Sequence, residues 1–430
     1  MGTIFLYILL CAICLASLTR PWVGAIGYYV YALLSPQSIW FWIFNDLNVS
    51  KMLAVATLLG FCFSALQGKI NYSNIRHRQN YSLMIIWGMI HVSNMLTPFP
   101  NFSAGIPVTS VLSTLNTVMI LYFVSQFLFT TQKQLTYLFY ALLATGIYYV
   151  YWANRSYLTG EMWLYSTTGR LRGPMGSIYE DENAFALIFV ISMPLILFYA
   201  LGLKNKLYKV ALLCVIPLLW HAVFLTGSRG ALIAMAASLL YSQTLIKSKT
   251  FNVTIICGLI AALIYQGGEL LNRTEGTMEK SASSSEEPLD PRLLSWEAGI
   301  KMIRDYPIFG VGTEKFQAAY PRYMDGKTHV AHNTFFQFAA NNGLLTGILY
   351  FYLFFSAAKT HKKVKSKVNP NSIEQVINDG SMASLVGFLF LSIFLDLMIF
   401  ESFYYLLLIS IIKDNLVTSI QHNTPTKNTI

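Results

Sequence analysis

The chain has 430 residues, of which 55% are apolar and 12% charged, with a net charge of +10 and a mean hydropathy of +0.50. A soluble domain carries about 25% charged residues, and half that leaves too little polar surface to cover a water-soluble body of this size. This excludes an ordinary soluble enzyme, a disordered chain and a nucleic-acid binder, because Lys and Arg also gather in the cytoplasmic loops of membrane proteins.

Apolar runs of about 18–20 residues recur along the chain and do not alternate in polarity, which reads as helices and not barrel strands. The fold class is an all-α polytopic membrane protein. The runs fall at roughly 3–18, 22–43, 52–66, 82–96, 108–129, 135–152, 184–202, 208–226, 229–246, 252–266, 336–357, 382–397 and 402–417, so about 12 transmembrane helices are expected. The first two read as one unit broken at Arg20-Pro21, and the last two share one run interrupted by Asp396 and Glu401. The first run leads into Thr19-Arg20-Pro21 and not into a small-residue cleavage site, so no cleavable signal is expected. Cys11, Cys14, Cys62, Cys214 and Cys257 all lie inside apolar runs. Cys11 and Cys14 lack His or acidic neighbours, which argues against a metal or redox pair.

Short loops carry Lys69, Arg76 and Arg78; Lys204, Lys206 and Lys209; Lys247 and Lys249; and Lys359 through Lys367. Counted through the spans, all four fall on one side, the expected cytoplasm. The other side carries polar segments at 153–183 and 267–335, the second with ten acids and eight bases. The expected organisation is thus 1–266 transmembrane helices including the 153–183 loop, 267–335 a large periplasmic loop, 336–417 C-terminal transmembrane helices, and 418–430 a polar tail. Within the large loop, 279–288 reads as mobile. Residues 292–304 read as an amphipathic helix with Leu293, Trp296, Ile300 and Ile303 on its apolar face, capped by Asp290 with Pro291 following. A tight turn follows at Gly310-Val-Gly312.

Eight of the eleven arginines fall on the non-cytoplasmic side: Arg155, Arg170, Arg172, Arg229, Arg273, Arg292, Arg304 and Arg322. Their planar five-donor forks suit a phosphate ligand, although loop acids also satisfy them. Three constellations stand out. Arg170 and Arg172 lie among glycines in Gly169-Arg-Leu-Arg-Gly-Pro-Met-Gly-Ser177, just before a span, where backbone and helix N-terminus favour anions. Arg229 stands in Thr226-Gly-Ser-Arg-Gly230 between two spans, and a boundary charge there is a functional candidate, with snorkelling the bland alternative. His332 in His329-Val-Ala-His332-Asn333 stands where the large loop meets the membrane, and an imidazole can take a proton from a hydroxyl. Asn333 also suits a helix N-cap. His329 and His332 alone make a weak metal pair, so no metal or cofactor is expected. No Walker loop or G-x-S-x-G occurs, and the short first loop on the non-cytoplasmic side holds no paired carboxylate, since Asp46 stands alone there. Any reaction must be driven by an activated substrate arriving in the membrane.

These constellations, in this order, resemble the O-antigen ligase and polymerase superfamily, bacterial inner-membrane glycosyltransferases of GT-C architecture. The stretch 292–316, with Trp296, Asp305-Tyr-Pro307 and Gly310-Val-Gly312, is similar to the family's periplasmic loop helix and following turn. His332-Asn333-Thr-Phe-Phe336 resembles its His-Asn motif. Arg20-Pro-Trp-Val-Gly24, Ser35-Pro36 and 171–177 resemble the exosortase-associated O-glycosylation ligases. One departure is Asn341-Asn342-Gly343, where the family often has an acid before the glycine.

The resemblance implies a multi-pass protein of the bacterial inner membrane with a periplasmic active face. It implies transfer of a glycan from undecaprenyl pyrophosphate to an acceptor hydroxyl, on lipid A-core or a similar lipid or glycan, inverting and without metal. In that chemistry His332, Arg229 and Arg172 are catalytic and Arg170, Asn333 and Arg292 bind substrate. An O-antigen polymerase and a protein O-glycosylation ligase share the motifs. A lipid-linked glycan transporter is the non-enzyme alternative, but it needs polar groups near the midplane, and Asp396 and Glu401 are the main exceptions to apolar spans.

Overall fold

The structure is a computed structural model that describes residues 2–44, 47–102, 107–249, 251–253, 255, 258, 260 and 291–423. Most of the expected 252–266 span, the 279–288 stretch, Arg273 and the Asp290 cap lie outside the described residues. Apart from one β-bridge between Tyr165 and Leu171, the regular structure of the described residues is helical.

Helices α1 (Gly2–Thr19) and α2 (Pro21–Leu34) meet at Arg20-Pro21, as the sequence suggests. They fold back on each other, since Gly24 lies against Ser17 and Gly27 against Ile13. The expected span 22–43 is not one helix. It stops at Leu34 and continues as two four-residue helices, α3 (Pro36–Ile39) and α4 (Phe41–Phe44). Pro36 disfavours a right-handed helical residue before it, and Ser35 takes φ +45°.

Next come α5 (Val49–Leu66), α6 (Arg78–Leu96), α7 (Val108–Leu128) and α8 (Gln132–Leu158). They are followed by α9 (Glu182–Gly202), α10 (Lys206–Leu213), α11 (Val215–Thr226) and α12 (Arg229–Ile246). The C-terminal part holds α13 (Pro291–Asp305), α14 (Phe316–Ala319), α15 (Thr334–Asn342), α16 (Leu344–Lys365), α17 (Ile373–Leu391) and α18 (Glu401–Asn423). Four stretches of the described residues are long and apolar enough to cross a membrane: Val49–Leu66, Val108–Leu128, Glu182–Gly202 and Lys206–Thr226. Others carry polar groups that pair inside the bundle.

Helix α9 is the central pillar. It is apolar on every side, as a helix surrounded by protein or lipid must be, and nearly all of it is buried. It packs on α8, α11, α12 and α17. Asp181 caps it through the amides of Asn183 and Ala184.

The lysine-rich loops share one end of the bundle. Asp414 of α18 pairs with Lys363 of α16 at 2.6 Å and with His77 before α6 at 3.6 Å. Asp379 of α17 pairs with Lys365 at 3.1 Å, and Gly202 lies against Val376. The opposite end gathers residues 159–181, 291–335 and 392–400.

The expected span 336–357 is also two helices. Gly343, at φ +94°, turns the chain between α15 and α16. A Cβ there would overlap the Ile308 carbonyl, and the Leu344 amide donates to the Pro307 carbonyl at 2.9 Å. Helix α15 therefore belongs with the large loop. Its Ala340 and Asn341 carbonyls accept the amides of Val311 and Gly312 at 2.8 and 2.9 Å. The amphipathic helix is present as α13, but its buried side is Ser295, Ala298, Gly299 and Met302, while Leu293 and Ile300 are 50% and 59% exposed. The small residues let Phe336 of α15 come close, with its Cδ1 only 2.9 Å from where a Gly299 Cβ would stand.

Gly60 packs against Ser17 and Pro21 where α5 meets the α1–α2 hairpin, whereas Gly88 has open space around it. Gly60→Val is expected to lower the melting temperature in detergent, by overpacking worth about 1–3 kcal/mol. Gly88→Val serves as the control and is expected to melt close to the parent.

Candidate active site

Helix α17 ends at Leu391 and α18 begins at Glu401. The nine residues between them form a turn at the loop-bearing end, and not the last part of a 382–397 span. Residues 332–337 run alongside this turn. Thr334 donates its amide to the Ser392 carbonyl at 2.8 Å and its hydroxyl to the Leu395 carbonyl at 2.7 Å. The same hydroxyl oxygen accepts the Leu397 amide at 3.1 Å. Gln337 accepts the Met398 amide at 3.1 Å.

Asp396 anchors this pairing. Its two carboxylate oxygens accept the backbone amides of His332 at 3.2 Å and Asn333 at 3.1 Å. His332 needs such an anchor, because it adopts φ +49°, a left-handed conformation that a non-glycine residue holds only when its surroundings impose it. The Asn333 side chain caps α15, accepting the amides of Phe335 and Phe336 at 2.9 and 3.2 Å. Its amide group donates to the Ile393 carbonyl at 3.1 Å. Both ends of Asn333 are thus engaged in holding the His332 turn. The cap is the role its position suits.

The arginine segments reach the same turn. Gly227, in the left-handed region, ends α11, and Ser228 caps α12, which starts at Arg229. The next residue, Gly230, lies against Phe394, whose side-chain atoms come within 3.1–3.3 Å of where a Gly230 Cβ would stand. Arg292, near the start of α13, sets its guanidinium 5.8 Å from the centre of the same ring. Leu171 donates its amide to the Leu225 carbonyl at 2.8 Å, strapping the 169–173 loop to the end of α11. Tyr179, at the far end of that loop, meets Phe400 edge-on at 5.7 Å.

Arg170 and Arg172 do different work. Arg170 Nε donates to the Thr226 carbonyl at 2.8 Å and Nη2 donates to Asn183 Oδ1 at 2.9 Å, with Glu182 3.9 Å from Nη1. It is a strut between α9 and the end of α11. Arg172 faces Glu180 at 4.0 Å, and its Nε is shielded from solvent without a hydrogen-bond partner among the described residues. A buried guanidinium N–H left unpaired is costly, so an anion beside Arg172 would relieve it.

Glu314 and Asp396 are the site residues that motif reading misses. Glu314 sits in the loop at φ +56° and accepts Gln337 Nε2 at 3.4 Å. Burial, reinforced by the neighbouring Asp396, pushes its carboxyl up to about 7. Asp396 is visible in the sequence as an acid inside an apolar run, a functional signal in itself, but nothing in the sequence ties it to His332. The Asn341-Asn342 pair also finds its use here. Asn341 Oδ1 accepts the Phe316 amide at 3.0 Å and Asn342 Oδ1 accepts the Thr313 hydroxyl at 2.7 Å, clamping the loop that carries Glu314.

Two family models match the chain. Residues 212–351 match the O-antigen ligase family, a stretch that includes Arg229, Arg292, Glu314, His332 and Asn333. Residues 1–204, which include Arg170 and Arg172, match a family of unknown function. No curated protein matches the chain. The chain is a helical membrane protein, and the match over residues 212–351 supports its likeness to the O-antigen ligase superfamily.

Glu314 makes stability depend on pH. Between its ordinary value of 4.5 and about 7, the folded chain holds a proton that the unfolded chain gives up. Stability therefore falls as pH rises through that window and levels off above it. The melting temperature of the purified chain is expected to drop from about pH 5 to about pH 7, and Glu314→Gln to flatten that slope. Parallel curves for the two proteins would contradict the assignment.

Proposed function

We propose that this protein is a glycosyltransferase of the O-antigen ligase type, moving a glycan from undecaprenyl pyrophosphate to an acceptor hydroxyl on lipid A-core or a similar acceptor. In this reading it crosses the bacterial inner membrane about twelve times, its lysine-rich end faces the cytoplasm, and the end carrying His332 faces the periplasm. The observation that carries it is the meeting of three separate segments on the 392–400 turn. The His332 backbone bonds Asp396, Gly230 beside Arg229 packs on Phe394, and the Arg172 loop meets Phe400 through Tyr179.

Each residue then has a role the chemistry needs. The acceptor hydroxyl attacks the anomeric carbon and loses its proton to the His332 imidazole, which acts as general base. The sugar–phosphate bond breaks from the opposite face, which inverts the configuration. The departing pyrophosphate gains negative charge, and Arg229 and Arg172 meet it as fixed cations that need no reorganisation in the transition state. Arg292, held over Phe394, adds a third guanidinium. Arg170 and Asn333 act by position, the first holding the arginine loop and the second holding the His332 turn.

His332→Ala and Arg229→Ala are each expected to lower transfer by about 100-fold or more, with expression and membrane insertion unchanged, in an assay of purified protein with lipid-linked glycan and acceptor. Near-normal transfer by both would remove the assignment. Asp396→Ala is expected to lose a similar factor by releasing the His332 turn, while Asp396→Asn, which keeps one acceptor oxygen, falls between. In cells, a deletion is expected to accumulate full-length lipid-linked chains without attachment. Loss of chain lengthening would instead identify a polymerase.

A further inference from the structure

The break at Ser35 has no part in the transfer centre. Broken backbone within an apolar run leaves peptide groups that hydrocarbon cannot satisfy, and it is tolerated where it is buried in protein or lines a cavity. Here α3, α4, Leu47, Asn48 and Ser50 line a cavity of about 830 Å³, within the roughly 300–1,000 Å³ range of ligand sites. The facing wall is formed by the end of α8 and residues 161–164. Its rim is Pro174-Met175-Gly176, the same loop that carries Arg172.

The lining is of two kinds. Trp40, Tyr148, Trp152 and Trp163 supply flat aromatic faces. Trp40 and Tyr148 lie 5.9 Å apart with their planes inclined at 56°, so they do not stack face to face on each other. Trp152 is only 8% exposed, unlike an anchor residue of an interfacial belt, which faces headgroups. Between these rings stand hydrogen-bonding groups. Gln37 Oε1 is shielded from solvent and has no hydrogen-bond partner among the described residues. Arg155 and Glu161 form a 3.2 Å ion pair at the wall. A lipid tail would leave the Gln37 amide oxygen buried and unpaired, which is costly. A pyranose ring matches both kinds. Its C–H face suits the negative face of an aromatic ring, and its hydroxyls donate to and accept from amide, guanidinium and carboxylate groups.

We propose that this cavity is a saccharide-binding chamber that seats sugar rings of a glycan substrate beside the Arg172 loop. That the sugars belong to a substrate rests on the transferase reading, whereas saccharide binding itself does not.

The test uses the full chain in nanodiscs and follows tryptophan fluorescence. Three probes are titrated: the oligosaccharide released by mild acid from the host's lipid-linked glycan, the de-acylated core oligosaccharide, and undecaprenyl monophosphate. One or both oligosaccharides are expected to bind, the first indicating the donor's sugars and the second the acceptor's. Trp40→Leu and Trp163→Leu are expected to weaken binding about fivefold, the scale of one lost aromatic contact. Trp163 is 61% exposed, so its replacement leaves the fold intact. In the transfer assay both variants are expected to raise KM while leaving kcat within about twofold, because the chamber contributes binding common to ground and transition states. His332→Ala is expected to bind saccharide like the parent, so an unsuccessful transferase assignment leaves this result standing. The proposal is overturned if neither oligosaccharide binds, if both tryptophan variants bind like the parent, or if undecaprenyl monophosphate displaces the sugar.

Discussion

A single carboxylate organises the loop-bearing end of this protein. Asp396 lies in the turn between the last two helices and accepts the amides of His332 and Asn333. Without an acceptor there, two backbone N–H groups would sit unpaired in a largely apolar setting, at a cost comparable to the desolvation of each group. With it, a histidine is held in a left-handed conformation that it would not adopt alone. The turn is itself braced by Thr334 and Gln337, so the imidazole is mounted on a frame of hydrogen bonds from two segments some sixty residues apart. Such a frame suits a group that must meet a hydroxyl in one orientation.

The same turn gives the arginine segments a common reference. Gly230 is small enough for α12 to start directly against Phe394, and the Arg292 guanidinium lies 5.8 Å from the centre of the same ring. The Arg172 loop is strapped to the end of α11 by the Leu171 amide and by Arg170. Arginines that are remote in sequence are therefore oriented by one aromatic ring and one helix end. At the opposite end, Lys363 and Lys365 find carboxylates within the bundle at 2.6 and 3.1 Å.

Two glycine- or serine-made corners convert apolar runs into site architecture. Gly343 lets the chain leave α15 against the Ile308 carbonyl, which assigns α15 to the loop and not to the helix that follows. Ser35 ends α2 early and leaves α3 and α4 to form a wall of the aromatic cavity. In each case the run is apolar enough to read as a continuous span, and the interruption turns it toward the functional end. Such interruptions survive in an apolar setting because neighbouring protein satisfies the freed peptide groups.

The sequence by itself determined the helical membrane class, the position of most helices, the grouping of lysines, and the three polar motifs, because apolar run length, charge and residue chemistry are local properties. It also marked Asn333 as a cap and Arg20-Pro21 as a break, since capping and proline sterics act within a few residues. It placed the buried side of α13 on Leu293 and Ile300, because hydrophobic spacing cannot reveal that a close-packed neighbour, Phe336, selects Ala298 and Gly299 instead. Only the tertiary structure decided which acid serves His332, which arginines are struts, and that Glu314 and Asp396 are neighbours. Those are contacts between segments distant in the chain, fixed by packing across the bundle and not by any pattern along it.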